Sequence, residues 1–256
     1  MLSFLRSFKS SLLKHEITAA TRQAMLQNIF HMNFDPPHKL HKAFKFTLDV
    51  RESSIRNANK GVFVRGHVTK GDVVALYPGV YYPPVPVYAV GAADGSYCET
   101  ACLARHMWDD SMYCIDLSDI GGYIDGKNIT EEFSSLSSFA VGQMINHPNP
   151  LQHPNVTPFD FHWEDVYNAR NIDNNYDITL EEYLGKVPVK LGRGPWFIDP
   201  ITHEVVNIGE GSSDIQLPGL AMVAKEDICD GSELFLDYKL PPSNRPLWYH
   251  EPAASG

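Results

Sequence analysis

Four short segments, far apart in the chain, hold residues able to bind and align a small ligand beside a second reactant: Asn59-Lys60-Gly61-Val62-Phe63, Tyr77-Pro78-Gly79, Asn146-His147 followed by Pro154-Asn155, and Glu233-Leu-Phe-Leu-Asp237-Tyr238. Glycine lets backbone approach a ligand closely, an asparagine amide offers both donor and acceptor, and phenols line and polarise a pocket. A weaker set is Cys98, Cys102 and His106, at i, i+4 and i+8 on an expected helix. Eight residues of helix turn the third of these away by about 80°, so thiols packed in the core are the better reading and no metal is expected. There is no G-x-S-x-G, H-E-x-x-H or Walker motif, which removes the cheapest support for hydrolase, zincin or nucleoside-triphosphatase chemistry.

The elements that must position these segments are mostly short and β-type: GVFVRG at 61–66, DVVALYP at 72–78, SMYCIDL at 111–117, GYIDG at 122–126, LAMVA at 220–224 and ELFLDY at 233–238. Turn signals such as Lys70-Gly71 and Gly121-Gly122 separate them, so the body is predicted to be mainly β with short helices, an α+β class. Helices are expected over about 15–33, stopped by Asp35-Pro36-Pro37, over 97–108 behind a Ser96/Glu99 capping box, and over 139–145. The first of these is expected to bury Ile17, Ala20, Ala24, Ile29 and Met32. The division is a helical N-terminal extension at 1–50, a main domain at 51–240 with an acidic, Asn-, Gly- and Pro-rich insertion at about 158–217 made of loops and a small hairpin, and a tail at 241–256.

With 256 residues, 43% of them hydrophobic, the chain can bury a sizeable core, and four cysteines are too few for a disulfide scaffold in a chain this long. Its net charge of −10 is uneven: residues 1–70 hold 12 Lys/Arg against 4 Asp/Glu, and residues 71–237 hold 7 against 26. Such an acidic body repels nucleic acid and favours a basic peptide or protein partner. The uncharged stretch 73–93 is long enough to span a bilayer, but Pro78, Pro83, Pro84 and Pro86 break any helix there, and no transmembrane segment is expected. Residues 1–15 are basic and amphipathic, open to reading as a short docking helix or as a transit-like start. An intracellular chain is expected, nuclear or cytoplasmic, or mitochondrial if the transit reading holds; the sequence leaves the oligomeric state open.

In order and content the four segments resemble the G-x-G, Y-x-G, N-H-x-x-x-P-N and E-L-x-x-D-Y marks of the SET domain family of lysine methyltransferases. The surrounding text, GVFVRGHVTKGDVVALYPG, YIDG, AVGQMINH and LAMVAKEDICDGSELFLDY, is similar to the family of SET domain-containing protein nine. The resemblance covers about 55–240 and implies small sheets around a pseudoknot, S-adenosylmethionine as cofactor and methyl transfer to a lysine of a basic protein or peptide. It implies Tyr238 as the catalytic tyrosine and Tyr77 as a second wall of the lysine channel. Cofactor contacts would come from Asn59, Lys60, Gly61, Asn146 and His147, with Trp248 and Tyr249 closing the site or pinning the tail. The chain departs from the pattern at Asn59, where the family has glycine, at Gln143-Met144, where it has Arg-Phe, and in the six residues 148–153, where it has three. The alternative function is a SET-type fold that binds or scaffolds without transferring a methyl group.

Overall fold

The computed structural model describes residues 17–35, 39–40, 43–82, 113–117, 120–127, 137–170, 178–191, 216–240, 246 and 249–250, with the backbone of 89–91, 97–99, 196–198 and 205–207. Residues 1–15, Cys102, His106 and Trp248 therefore lie outside the described residues.

Helix α1 (Ala19–Phe34) starts where the Thr18 hydroxyl accepts from the Thr21 N–H at 3.1 Å, a cap worth about 1 kcal/mol. It ends at Asp35, whose backbone turns extended (φ −76°, ψ 140°) as the residue before a proline must. The buried face is Met25, Leu26, Ile29, Phe30 and Met32, while Ala20 and Ala24 are exposed, contrary to the expected face. The larger side chains win the contact because burial scales with apolar area. Phe30 stacks on Tyr183 at 5.5 Å, tying α1 to the body.

Strands β1 (Phe46–Glu52) and β2 (Lys60–Gly66) pair antiparallel along their whole length, from Phe46 opposite Gly66 to Glu52 opposite Lys60. Residues 46–50 thus belong to the body's first hairpin and not to a helical extension ending at 50. The turn between them carries Asn57 and Asn59 in the left-handed region (φ 67° and 58°), which asparagine tolerates better than most residues.

The core sheet has the order β3 (Val73–Leu76), β13 (Pro218–Ala224), β9 (Val156–His162). Every residue of β13 is buried, as befits a central strand covered on both faces. Strand β9 pairs with β13 from His162 opposite Pro218 to Val156 opposite Ala224, and α2 (Trp163–Ala169) follows it at once with Trp163 fully buried. This corrects the expected insertion: 158–169 is core, and Pro158 is tolerated because β9 is an edge strand of its sheet. Helix α3 (Leu180–Leu184) opens with a capping box between Thr179 and Glu182, and β10 (Val189–Leu191) joins a second sheet of order β10, β4 (Gly79–Tyr82), β8 (Tyr123–Asp125), β7 (Cys114–Asp116). The small hairpin expected in this region is β11 (Trp196–Ile198) with β12 (Val205–Asn207). The fold is small sheets with a few short helices, an α+β class.

Two further expectations change. Tyr97–Glu99 form strand β6, paired with β5 (Ala89–Gly91), so the helix expected from 97 does not begin there, and Cys98 sits opposite Val90. Only a 3-10 turn, Gly142–Met144, stands in the segment expected to be helical. The chain is pressed too close to β3 for a helix: a Cβ added to Gly142 would lie 2.9 Å from the Leu76 carbonyl oxygen. No helix among the described residues is long and apolar enough to cross a membrane.

Candidate functional site

The 233–238 segment, expected as a strand, instead threads between other elements through isolated bridges to Phe63, Asn146 and Val156. The Leu236 N–H donates to Asn146 O (2.9 Å), and the Val156 N–H donates to Phe235 O (3.2 Å). Asn155 holds the segment from the other side, its Nδ2 donating to Glu233 O (2.9 Å) and its Oδ1 accepting from the Phe235 N–H (2.8 Å). Both ends of the 147–155 loop therefore clasp 233–238, the kind of crossing that a pseudoknot requires. Asn155 is buried, and each of these bonds would cost about 1 to 3 kcal/mol to leave unmade.

Asn146 reaches across to the first hairpin. Its Nδ2 donates to Lys60 O at 2.9 Å and contacts Ser53 Oγ at 3.2 Å and Glu233 Oε1 at 3.4 Å, while its Oδ1 accepts from no described residue. Glu233, in turn, is the anchor of the β1–β2 turn. Its Oε1 accepts from the Ser53 hydroxyl (2.6 Å) and its Oε2 from the Ser54 N–H (2.8 Å) and hydroxyl (2.6 Å). Gly61 is the residue that makes room, since a Cβ there would lie 2.0 Å from Glu233 Oε1. Asn59, Lys60, Gly61 and Asn146 thus come together, although the first and the last lie 87 positions apart in the chain.

His147 is buried, and its imidazole is fully used. Nδ1 accepts from the Tyr238 N–H (3.2 Å), which leaves the proton on Nε2 to donate to His250 O (2.7 Å). The ring stacks on Tyr249 with centroids 4.3 Å apart and planes at 18°. One side chain therefore fixes both the backbone at Tyr238 and the end of the tail, and Tyr249 is the tail aromatic seen in contact with the site. The Tyr238 hydroxyl donates to Ile145 O at 2.9 Å.

Tyr77 meets the same stretch of chain from its other end. It is 3% exposed, and its hydroxyl donates to Tyr113 O at 2.5 Å. A Cβ on Gly142 would lie 3.2 Å from Tyr77 Cα, and one on Gly126 would lie 3.2 Å from Tyr77 Cε1 and 3.0 Å from Gln143 Cβ. Residues 142–147 thus run from Tyr77 to Tyr238. Gln143 Oε1 is buried on this path without a hydrogen-bond partner among the described residues. Nearby, Tyr82 and Tyr123 stack at 5.0 Å, and burial raises both phenols above their ordinary value, Tyr123 far above it, with Cys114 and Asp125 adding to the effect. They stay neutral at any physiological pH.

Sequence reasoning gathered Asn59, Lys60, Gly61, Tyr77, Asn146, His147 and Tyr238, and the structure brings each of them onto this connected network. It missed Ser53, Ser54, the anchoring role of the Glu233 carboxylate and the side-chain role of His147. The available signal was an acid inside an otherwise apolar run, Glu233 before Leu-Phe-Leu. Among the described residues no group of three or more His, Cys, Asp or Glu could hold a metal ion.

No family model matches the chain. It is 27% identical over 228 residues to SET domain-containing protein 9 of Homo sapiens, covering 80% of this chain and 62% of that protein. To the protein of the same name in Pongo abelii it is 26% identical over 226 residues, covering 80% of this chain and 68% of that one. The chain thus spans less than two thirds of the human relative's length. Among solved structures, KRYPTONITE in complex with mCHH DNA, H3(1-15) peptide and SAH aligns over 83% of this chain and 26% of its own, with a TM-score of 0.37 and 16% identity. CpSET8 from Cryptosporidium aligns over 96% of this chain and 88% of its own, with a TM-score of 0.38 and 15% identity. In its sequence the chain is similar to SET domain-containing protein 9 over 80% of its length, and the family it resembles is that of the SET domain proteins.

Proposed function

We propose that the chain is an S-adenosylmethionine-dependent protein-lysine N-methyltransferase acting on a basic protein or peptide. The observation that supports this most is Asn146, which ties the Lys60-Gly61 backbone to the 233–238 segment while its own Oδ1 accepts from no described residue. A half-exposed acceptor beside a close-approach glycine fits the methionine part of the cofactor, which carries the sulfonium, and Lys60, Gly61, Asn146 and His147 are the residues that would hold it. When bound, the cofactor supplies an electrophilic methyl group on a cationic sulfur.

The protein's own task is to present a neutral amine in line with that methyl group. A lysine ammonium has a reference pKa near 10.4, so at pH 7 the neutral amine costs about 4.6 kcal/mol, from roughly 3.4 units at about 1.36 kcal/mol each. Apolar surroundings lower that cost by disfavouring the ammonium. In this reading Tyr77, buried and fixed on Tyr113 O, is one wall of the channel. Tyr238, fixed on Ile145 O, directs the amine lone pair through its oxygen. Neither ring has to be ordered during the reaction, so the gain is one of alignment.

The second reading, binding without transfer, draws support from Gln143, whose buried Oε1 lacks a partner among the described residues where the resemblance expects an Arg-Phe pair. Calorimetric titration of the full chain with S-adenosylmethionine tests the common ground of both. Micromolar binding is expected, weakened by about 1 to 3 kcal/mol in Asn146→Ala. No binding by the folded wild type would overturn the proposal, and binding with no transfer to any basic protein would leave the second reading.

A further inference from the structure

Glu233 is a buried carboxylate, 6% exposed, held by neutral donors: the Ser53 hydroxyl, the Ser54 N–H and hydroxyl, and the Asn146 amide. In each contact the carboxylate is the acceptor. Among the described residues no Lys, Arg or His nitrogen lies within 4.0 Å of it. A buried charge normally has a charged partner, since neutral hydrogen bonds offset only part of its lost hydration. This one has none among the described residues, and it lies directly under Gly61, so close that a Cβ there would overlap it, and beside Asn146.

Resting on the methyltransferase reading, in which Gly61 and Asn146 line the cofactor site, we propose that Glu233 is a specificity-determining residue. Its fixed negative charge favours the cationic, methyl-bearing form of the cofactor over the neutral thioether that remains after transfer. The two forms share the adenosine and the amino-acid portion, so contacts to those parts cannot separate them. They differ in one methyl group and one positive charge at sulfur. A buried carboxylate acts on that charge through a poorly screened medium and has no comparable effect on the thioether. The device would aid release of product after each transfer, because the attraction disappears with the methyl group.

The test is calorimetric titration of the full chain with three ligands: S-adenosylmethionine, S-adenosylhomocysteine, and sinefungin, which carries an ammonium near the position of the sulfonium. In the wild type both cationic ligands bind more tightly than S-adenosylhomocysteine. Glu233→Gln, which keeps the shape and removes the charge, lowers affinity for both cations by about tenfold more than for S-adenosylhomocysteine, since the α-ammonium is common to all three. Ser54→Ala removes one donor but keeps the charge, so it weakens all three alike. Equal losses for the three ligands in Glu233→Gln would mean a purely architectural role and would overturn the proposal. If Glu233→Gln does not fold, the wild-type ranking decides: S-adenosylhomocysteine binding as tightly as the two cations overturns it. Absence of binding by all three ligands to the folded wild type would instead bring down the methyltransferase reading, and this inference with it.

Discussion

Gly61→Ala isolates the packing on which the site depends. The backbone at Gly61 lies outside the positive-φ region, so alanine is locally acceptable and, by restricting the unfolded chain, would by itself stabilise by about 0.4 to 1 kcal/mol. The methyl group would, however, stand 2.0 Å from Glu233 Oε1 and 2.8 Å from its Cδ. The carboxylate must move, and it is held by two serine hydroxyls and a backbone N–H at 2.6 to 2.8 Å. Hydrogen bonds to a charged group contribute about 1.5 to 3 kcal/mol each, so losing two of them costs about 3 to 6 kcal/mol. Partial relaxation brings the expected net loss to about 3 kcal/mol, a large share of an ordinary domain's stability. Urea denaturation followed by circular dichroism measures it. Gly61→Ala combined with Glu233→Ala should cost at least about 2 kcal/mol less than the sum of the single changes, because the collision is gone. A loss below about 1 kcal/mol in Gly61→Ala, or strict additivity in the double variant, would refute the reasoning.

Two other outcomes follow from the charges. Burial raises the phenol pKa of Tyr81, Tyr82, Tyr123 and Tyr183, so each favours the fold while neutral; that stabilisation is whole below the ordinary tyrosine value near 10 and is lost as pH rises above it. Absorbance titration at 295 nm should show these tyrosines ionising late and together with unfolding, whereas smooth titration of every tyrosine near pH 10 without unfolding would contradict it. With 26 acids against 7 bases in residues 71–237, a basic substrate peptide should associate more slowly as salt rises to about 0.5 M, and stopped-flow rates that ignore salt would exclude a role for the acidic surface.

Those acids also show what a sequence conceals. Glu164-Asp165, Glu181-Glu182 and Glu226-Asp227 stand out as acidic pairs, yet most have local duties. Glu164 accepts from the Leu217 N–H, Glu182 closes the α3 capping box, Asp227 accepts from the Lys70 N–H, Asp165 faces Arg22 at 3.5 Å and Glu226 faces His153 at 2.7 Å. The β2, β3, β8 and β13 strands were legible because apolar runs bounded by turn residues have few other solutions. The 233–238 segment has the same texture but runs where no neighbour offers a continuous ladder, and only the clasp by Asn146 and Asn155 reveals that. Strand β9 was obscured by Pro158, which argues against a strand unless the strand lies at an edge. The residues proposed to face the cofactor were legible by resemblance. The anchoring role of Glu233 was not, because its partners Ser53 and Ser54 are ordinary turn residues and long-range pairing leaves no local mark.

The central claim is that Tyr77, Tyr238 and the 142–147 segment form a methyl-transfer site, and transfer from radiolabelled S-adenosylmethionine to basic peptides by wild type and Tyr238→Phe tests it most directly. Phenylalanine keeps the ring and removes the hydroxyl bonded to Ile145 O. The expected result is that transfer falls to a small fraction or the number of methyl groups added changes, with cofactor affinity kept within about tenfold, roughly 1.4 kcal/mol. Transfer by Tyr238→Phe at the wild-type rate with the same product would contradict the account.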